Sequence, residues 1–417
     1  MSKNFMIIFF IILVILLAID LYTNKALNLV FEKSTILTVL KILNWGVFPF
    51  ALIWIIICTS IVPASKGSQS IYLMYIFTGV LIIFYGPKIF FVIIHLIEDL
   101  LNAGLWLFEK IQLNIIKTKH IGSYSRFIWL TRGALVLYII FFLLFLKGIL
   151  YDRFNYKITN ETIVSDKISE AFNEFKIIHL SDIHIGAFYN NEDKLKKAVK
   201  QVNALEPDLI LFTGDLVVNL ANELNDFKVL EQLKAKHGIY SILGNHDYGE
   251  YYNWKSEEDE LQNLQDLKTY QKQLGFNLLL NKNKIISVNG DSIAIIGVEN
   301  WGEPPFPQYG DLNNALKGTE NIDFKILLSH DPTHWDVEVK EKTDVDLTLS
   351  GHTHGMQFGI ITKNIKWSPI HLKYDKWGGL YSENGQHLYV NVGLGSIGYP
   401  GRVGIRPEIT LITLKSK

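Results

Sequence analysis

Hydrophobic positions along the chain follow two rhythms. Up to residue 151 they gather into long runs, 5–22, 42–62, 71–96 and 133–151, each close to the roughly 20 residues that an α-helix needs to cross a bilayer core. The third run is interrupted at Gly86-Pro87-Lys88, where the missing amide donor predicts a kink or a division. After residue 151 the apolar runs become short and rich in Ile, Leu and Val. Strands are predicted from Phe175 and over 208–212, 239–243, 284–288, 292–298, 324–328, 345–349, 387–392 and 409–414, with helices near 191–205, 223–236 and 257–274. Strands alternating with helices, then mostly strands, imply an α/β domain of stacked mixed sheets with helices outside. The chain thus divides into an all-α transmembrane region of about four helices (1–151), a polar linker (152–172) and the α/β domain (173–417).

Charge sharpens this division. A net charge of −1 over 417 residues gives no sign of a nucleic-acid partner. The first run sits behind Lys3 as a secretory signal would, but Tyr22-Thr23-Asn24-Lys25 holds no small-residue cleavage site, so a retained membrane helix is expected. Lys25, Lys33 and Lys41 lie between the first two runs, and Lys110, Lys117, Lys119, Arg126 and Arg132 between the last two; the other side has Lys3, Lys66, Arg153 and Lys157. The richer side is expected in the cytoplasm, which makes this a multi-pass cell-membrane protein with its α/β domain on the extracytoplasmic side. Cys58, the single cysteine, lies in a membrane run, so the domain is expected to hold neither a disulfide nor a thiolate ligand.

The chemistry-bearing residues gather at the ends of predicted strands. In order they are Asp182-Ile183-His184, Thr213-Gly214-Asp215, Gly244-Asn245-His246-Asp247, Ser329-His330-Asp331 and Ser350-Gly351-His352-Thr353-His354. The carboxyl edge of an open α/β sheet is where such segments converge. One Asp-x-His is equally a helix cap beside a surface histidine; five such clusters at one edge are not. Asp182, His184, Asp215, Asn245, His330, His352 and His354 offer oxygen and nitrogen without thiolate, a donor set for Mn, Fe, Zn or Mg. They are too many for one ion and suit two, about 3.5 to 4 Å apart, with Asp215 bridging and positions left for water. Gly214, Gly244 and Gly351 each precede a ligand, where the chain turns off a strand and its backbone approaches the site.

In this order, Asp-x-His, Gly-Asp, Gly-Asn-His-Asp, a lone His and Gly-His-x-His resemble the blocks of the calcineurin-like metallophosphoesterase family, over about residues 175–413. The tail from Asn391-Val392-Gly393-Leu394-Gly395 through Arg402 is similar to that of the membrane-associated bacterial branch, the YkuE and YaeI proteins. The resemblance implies a four-layer sandwich of two mixed sheets flanked by helices, two divalent metal ions, and hydrolysis of a phosphoester by attack of metal-bound hydroxide. Carried over residue by residue, it implies that Asp182, His184, Asp215 and His354 hold one ion and Asp215, Asn245, His330 and His352 the other. It also implies that His246 protonates the leaving group; a hydrogen bond to a ligand is its alternative role. Asp247 is expected to orient His246 or to cap the following turn.

Arg402 is a candidate substrate-binding residue for a second phosphate or a lipid head group, or else a solvated surface arginine. Trp301, Phe306 and Tyr309, and likewise Tyr251, Tyr252 and Trp254, either rim a substrate groove or pack their own loops. A linker of about 20 residues reaches at most about 70 Å, so the domain samples the membrane surface and a lipid or lipid-linked phosphate is the expected substrate. Two other readings stand beside the enzyme. One is an inactive phosphoesterase-like sensor or binding domain, which the complete ligand set opposes. The other is a transporter, for which Lys88 inside the third run is the main sign.

Overall fold

The computed structural model describes residues 3–31, 34–56, 68–112, 127–225, 227–362 and 364–417. Lys33, Cys58, Lys66, Lys117, Lys119, Arg126 and the end of the second run, to residue 62, lie outside the described residues. The chain separates into two compact units, residues 1–64 with 76–147 and residues 65–75 with 148–417.

The first unit is helical. Four helices are long and apolar enough to cross a membrane: α1 (Lys3–Val30), α2 (Thr35–Ile56), α3 (Ser68–Ile111) and α4 (Ile128–Leu150). Outward-facing Phe10, Ile42, Ile93 and Leu143 are exposed, whereas Ala26, Phe91 and Ala134 pack together inside. The third run is neither divided nor as short as its hydrophobicity predicts. α3 passes through Pro87 and continues for 44 residues, about 66 Å at 1.5 Å per residue. Residues flanking Pro87 are pinned from a neighbouring helix. Tyr85 Oη donates to Asp20 Oδ2 at 2.7 Å and Lys88 Nζ donates to Asp20 Oδ1 at 2.5 Å, which holds the segment that the missing amide would loosen. Lys88 therefore does not reach for an interface; it is buried against a carboxylate.

The second unit contains fourteen strands among its described residues: β1 (Lys157–Ser165), β2 (Phe175–Leu180), β3 (Leu209–Phe212), β4 (Ile239–Ser241), β5 (Phe276–Leu278), β6 (Lys282–Val288), β7 (Asp291–Gly297), β8 (Phe324–Leu328), β9 (Leu347–Ser350), β10 (Ile360–Ile361), β11 (Lys366–Trp367), β12 (Gly379–Glu383), β13 (Gln386–Val390) and β14 (Glu408–Ser416). One six-stranded sheet has the order β1-β14-β2-β3-β4-β5, the other β12-β13-β9-β8-β7-β6, and β10 pairs with β11. β2 to β5 and β7, β8, β9 and β13 run parallel, with antiparallel β14·β2, β6·β7 and β12·β13 pairs. Strand alternation builds the layers. Ile177, Leu209 and Leu211 face Ile295, Ile326, Leu328 and Leu349 in the core between the sheets. On the far side of the first sheet, Ile210 and Phe212 meet Leu195, Ala198, Val199 and Val202 of α5 (Glu192–Ala204) and Leu267 of α6 (Glu257–Gln273). Ile296 and Leu327 meet Trp335 and Val339 on the far side of the second. Strands buried on both faces explain why their sequences read as continuous apolar runs.

Two expected elements differ. The segment expected to be a linker contributes β1, whose residues pair in parallel with Glu408 to Ser416 of β14, and Ile163, Ile168 and Phe172 enter the core between the sheets. β1 is an edge strand with Asn160, Glu161 and Thr162 along it, so its polar content resembled a tether. The helix expected over 223–236 is instead two short turns, Ala221–Leu224 and Lys228–Gln232. Glu223 turns inward there and accepts backbone N–H groups from Val218 (2.9 Å), Asn219 (2.9 Å) and Leu220 (2.8 Å). The first residues of α3 are also part of this unit: Ile71 and Tyr75 lie in its core, and Tyr75 Oη donates to Ser396 O at 3.0 Å.

Candidate metal centre

Each predicted ligand leaves the carboxyl end of a strand. Asp182 and His184 follow β2, Asp215 follows β3, Asn245 follows β4, His330 follows β8, and His352 and His354 follow β9. To turn so soon, Asp182, His184, Asp215, His352 and His354 adopt positive φ, between 43° and 70°, a strained region for residues with a Cβ. The turns are tied to one another by main chain: Asp182 N donates to Gly214 O at 3.0 Å, His184 N to Asp215 O at 3.1 Å and Gly351 N to His330 O at 2.9 Å. Close approach requires glycine at two of them. A Cβ on Gly244 would sit 2.2 Å from Asp215 Oδ1, and one on Gly351 would sit 1.9 Å from Ser181 Oγ.

Five side chains form a buried knot. Ligand atoms of Asp182, His184 and His354, and of Asp182, Asp215 and His330, lie within 4.8 Å of one another. His184 Nε2 and His354 Nε2 face each other at 3.0 Å, His354 Nε2 lies 3.1 Å from Asp182 Oδ1, and His184 Nε2 and His330 Nε2 lie 3.5 and 3.2 Å from Asp215 Oδ2. The outer nitrogens are held by carbonyls, His184 Nδ1 by Val217 O (3.1 Å) and His330 Nδ1 by Thr213 O (2.7 Å), which leaves each Nε2 facing inward. His330 Nε2 is buried and makes no hydrogen bond. A buried nitrogen that approaches a carboxylate without an aligned hydrogen bond fits a divalent cation better than it fits a dry core. Both three-residue groups contain Asp182, whereas Asp215 was the expected bridge. Asn245 and His352 sit at the rim, with His352 Nδ1 2.9 Å from Asn245 Oδ1 and His352 Nε2 2.9 Å from Tyr374 Oη.

Electrostatics follow from crowding. Burial alone would raise Asp215, but His330, His246 and His184 hold it well below the carboxylate range. Burial likewise opposes, and His354 outweighs it, at Asp182, which is also depressed. His330 is pushed up to about 10: burial opposes the rise, and Asp215 and Asp182 outweigh it. Burial brings His184 down to about 3.

His246 donates its amide to Asp215 Oδ1 (2.9 Å), and its Nδ1 lies 2.7 Å from Val218 O. Nε2 is thus the nitrogen left for other work. His246 and Tyr251 pack with ring centroids 4.7 Å apart and planes tilted by 46°, and both line a cavity of about 330 Å³ with Asp215, Asn245, His352 and His354. Asp247 does not contact the His246 ring. Its carboxylate accepts N–H groups from Asp215, Leu216 and Gly244 at 2.8 to 3.0 Å and from Val217 at 3.2 Å, so it ties the β3 and β4 turns together. Burial, then the charge of Asp215, pushes Asp247 up to about 7 against those donors.

Arg402 is placed otherwise than expected. It is fully buried, and its guanidinium donates to Gly395 O (3.1 and 2.5 Å), Val392 O (2.7 Å) and Gly393 O (3.0 Å), with Nη2 3.4 Å from His354 Nδ1. It staples the 392–395 turn behind the site and offers no face to a substrate. Of the aromatic loops, Phe306 and Tyr251 reach the cavity. Trp301 is buried on His334, and Tyr252 packs on Trp254. Sequence reasoning missed Lys373, Tyr374, Ile370 and Ile397 in the cavity wall; the first three lie in a loop with no motif of its own, and Ile397 lies in the tail between Gly395 and Arg402.

Residues 175–356 match the family described as "Calcineurin-like phosphoesterase", and residues 3–153 match "Probable Calcineurin-like phosphoesterase, transmembrane domain". The uncharacterized metallophosphoesterase YkuE of Bacillus subtilis (strain 168) is 34% identical over 267 residues, covering 62% of this chain and 85% of that protein. The transmembrane protein with metallophosphoesterase domain of Danio rerio is 29% identical over 269 residues, covering 62% of this chain and 57% of that protein. An uncharacterized metallophosphoesterase of Helicobacter pylori (strain J99 / ATCC 700824) is 30% identical over 264 residues, covering 63% of this chain and 64% of that protein. The match therefore spans less than two thirds of the last two proteins.

Proposed function

The chain belongs to the calcineurin-like metallophosphoesterase family, and on that premise we propose that it is a membrane-held hydrolase of a lipid or lipid-linked phosphoester. Two divalent ions would be held by Asp182, His184, Asp215, Asn245, His330, His352 and His354. The observation that carries this reading is the convergence of three imidazole Nε2 atoms on two buried carboxylates. When bound, such ions lower the pKa of a water and offset the charge growing on phosphate oxygens. The chain's own part is to hold the imidazoles by carbonyls and to supply a proton. His246, fixed at Nδ1 by Val218 O, gives that proton from Nε2 to the leaving oxygen.

Substrate class is read from the cavity wall. Phe306, Tyr251, Tyr374, Ile370 and Ile397 supply apolar surface and Lys373 a cation, which suits an ester carrying an apolar group beside its phosphate. Exposed Met356, Ile360, Ile365, Trp367 and Leu372 lie in the segment that also delivers Ile370 and Lys373, as a surface working against lipid would require. Lys and Arg placement beside the spans favours the extracytoplasmic side for the domain. The test uses full-length protein in liposomes supplied with Mn or Zn, given one lipid phosphoester and a soluble aryl phosphate, with and without chelator. Chelator-sensitive phosphate release from both, faster from the lipid, is expected. No chelator-sensitive release from either overturns the enzyme; equal rates reject the lipid preference alone.

A further inference from the structure

The helical unit encloses a cavity of about 170 Å³ reached by all four helices. Leu27, Leu43, Phe84 and Leu135 give it apolar walls, and Thr23, Asn44 and Lys88 a polar floor. That floor is organised by Asp20, whose side chain is fully buried. Lys88 Nζ donates to Asp20 Oδ1 (2.5 Å) and to Asn44 O (3.1 Å), and Asn44 Nδ2 donates to Asp20 O (3.0 Å). An ammonium carries three N–H donors, and beyond those two bonds Lys88 Nζ sits over the Tyr85 ring, 4.7 Å from its centroid. Thr23 Oγ1 and Asn44 Oδ1, on residues 6% and 4% exposed, make no hydrogen bond among the described residues. Unpaired buried polar atoms are costly, and ionisable residues inside spans gather where ligands or ions pass.

Charge selects what fits. Asp20 already neutralises Lys88, so a carboxylate or phosphate head would enter as an uncompensated anion, and an ammonium head would meet Lys88 directly. A hydroxyl matches both unpaired positions: its oxygen accepts from Thr23, and its proton goes to Asn44 Oδ1. The walls take the aliphatic chain. Water would satisfy the floor and leave the walls uncovered. We propose that the four-helix unit is an intramembrane binding site for an alcohol-headed aliphatic lipid, a site separate from the metal centre.

The test is photolabelling of the full-length protein in liposomes with dodecanol carrying a diazirine, followed by peptide mass spectrometry. Labels are expected on residues 23–27 of α1 and 84–91 of α3, and excess plain dodecanol should remove them. Leu135→Trp, which fills the cavity, should cut this labelling by about tenfold or more. Asn44→Leu, which removes the acceptor, should cut it about threefold to tenfold, the range of one hydrogen bond within a membrane. The equivalent fatty acid should label these peptides at least about tenfold less. Labelling spread over outward residues such as Phe10, Ile42 and Leu143 and indifferent to dodecanol would overturn the proposal, and the wild-type competition decides this even if a variant fails to fold. Equal labelling by the fatty acid would overturn it too.

Discussion

The two units bury ionisable groups in opposite ways. In the helical unit the buried Lys88 is met by a side chain from another helix: Lys88 pairs with Asp20, and Asp20 also accepts from Tyr85. Helical backbone satisfies itself, so a charge there has little to lean on except another side chain. In the α/β unit the main chain does the holding. Carbonyls of Thr213, Val217 and Val218 fix three imidazoles, and Asp247 accepts four amides. Strand ends release these groups from the ladder, and strained turns aim the side chains inward. The result is a cluster whose outer face is satisfied and whose inner face is not. A self-paired cluster stabilises a fold; one with an unpaired inner face is arranged for an ion.

The contrast breaks most visibly at Asp215. Asp215→Asn should lower hydrolysis about a thousandfold or more and remove bound metal, read by elemental analysis of purified protein, because this carboxylate touches both imidazole groups. His246→Ala should slow turnover about a hundredfold to ten-thousandfold yet retain the metal; loss of metal equal to that of Asp215→Asn would make His246 a ligand support and not a proton donor. In the helical unit, Asp20→Asn should leave metal content unchanged but destabilise the full-length protein by about 3 to 5 kcal/mol, since Lys88 would be buried without its partner. Unchanged thermal unfolding would show that Lys88 finds another partner.

The smallest effect concerns pH. Burial pushes Glu223 up to about 7 against its backbone donors. A carboxyl raised on folding contributes stability that is complete below its unfolded value, near 4.5, and is lost as pH rises through about 7. The α/β unit should therefore lose at most about 3 kcal/mol over that window through this group, and Glu223→Gln should remove that part of the slope. Identical pH profiles for both proteins would place the slope elsewhere.

Much of this was legible along the chain because the signals are local. Strand periodicity put Asp182, Asp215, Asn245, His330 and His352 just past the carboxyl ends of strands that fold into two sheets, and the ligand spacing pointed to a metal. Asp20, a lone carboxylate in an apolar run, was passed over in favour of Lys88, and only its pairing with Lys88 shows what it does. The extent and pairing of β1 were not legible beyond a short strand at the end of the linker, since its partner β14 lies some 250 residues away and an edge strand keeps one polar side.

The sequence alone determined which atoms this protein can bring to a phosphoester and which stretches can enter a membrane, because ligand chemistry and hydrophobic length are properties of residues in order. Tertiary structure alone decided what each group faces. Arg402, a substrate candidate on paper, is enclosed by the carbonyls of its own turn. Asp247, next to His246 in sequence, serves the backbone instead. Tyr374, with no motif around it, stands 2.9 Å from His352. Burial and hydrogen-bond partners depend on segments that meet only after folding, and no local pattern encodes a partner contributed by a distant loop.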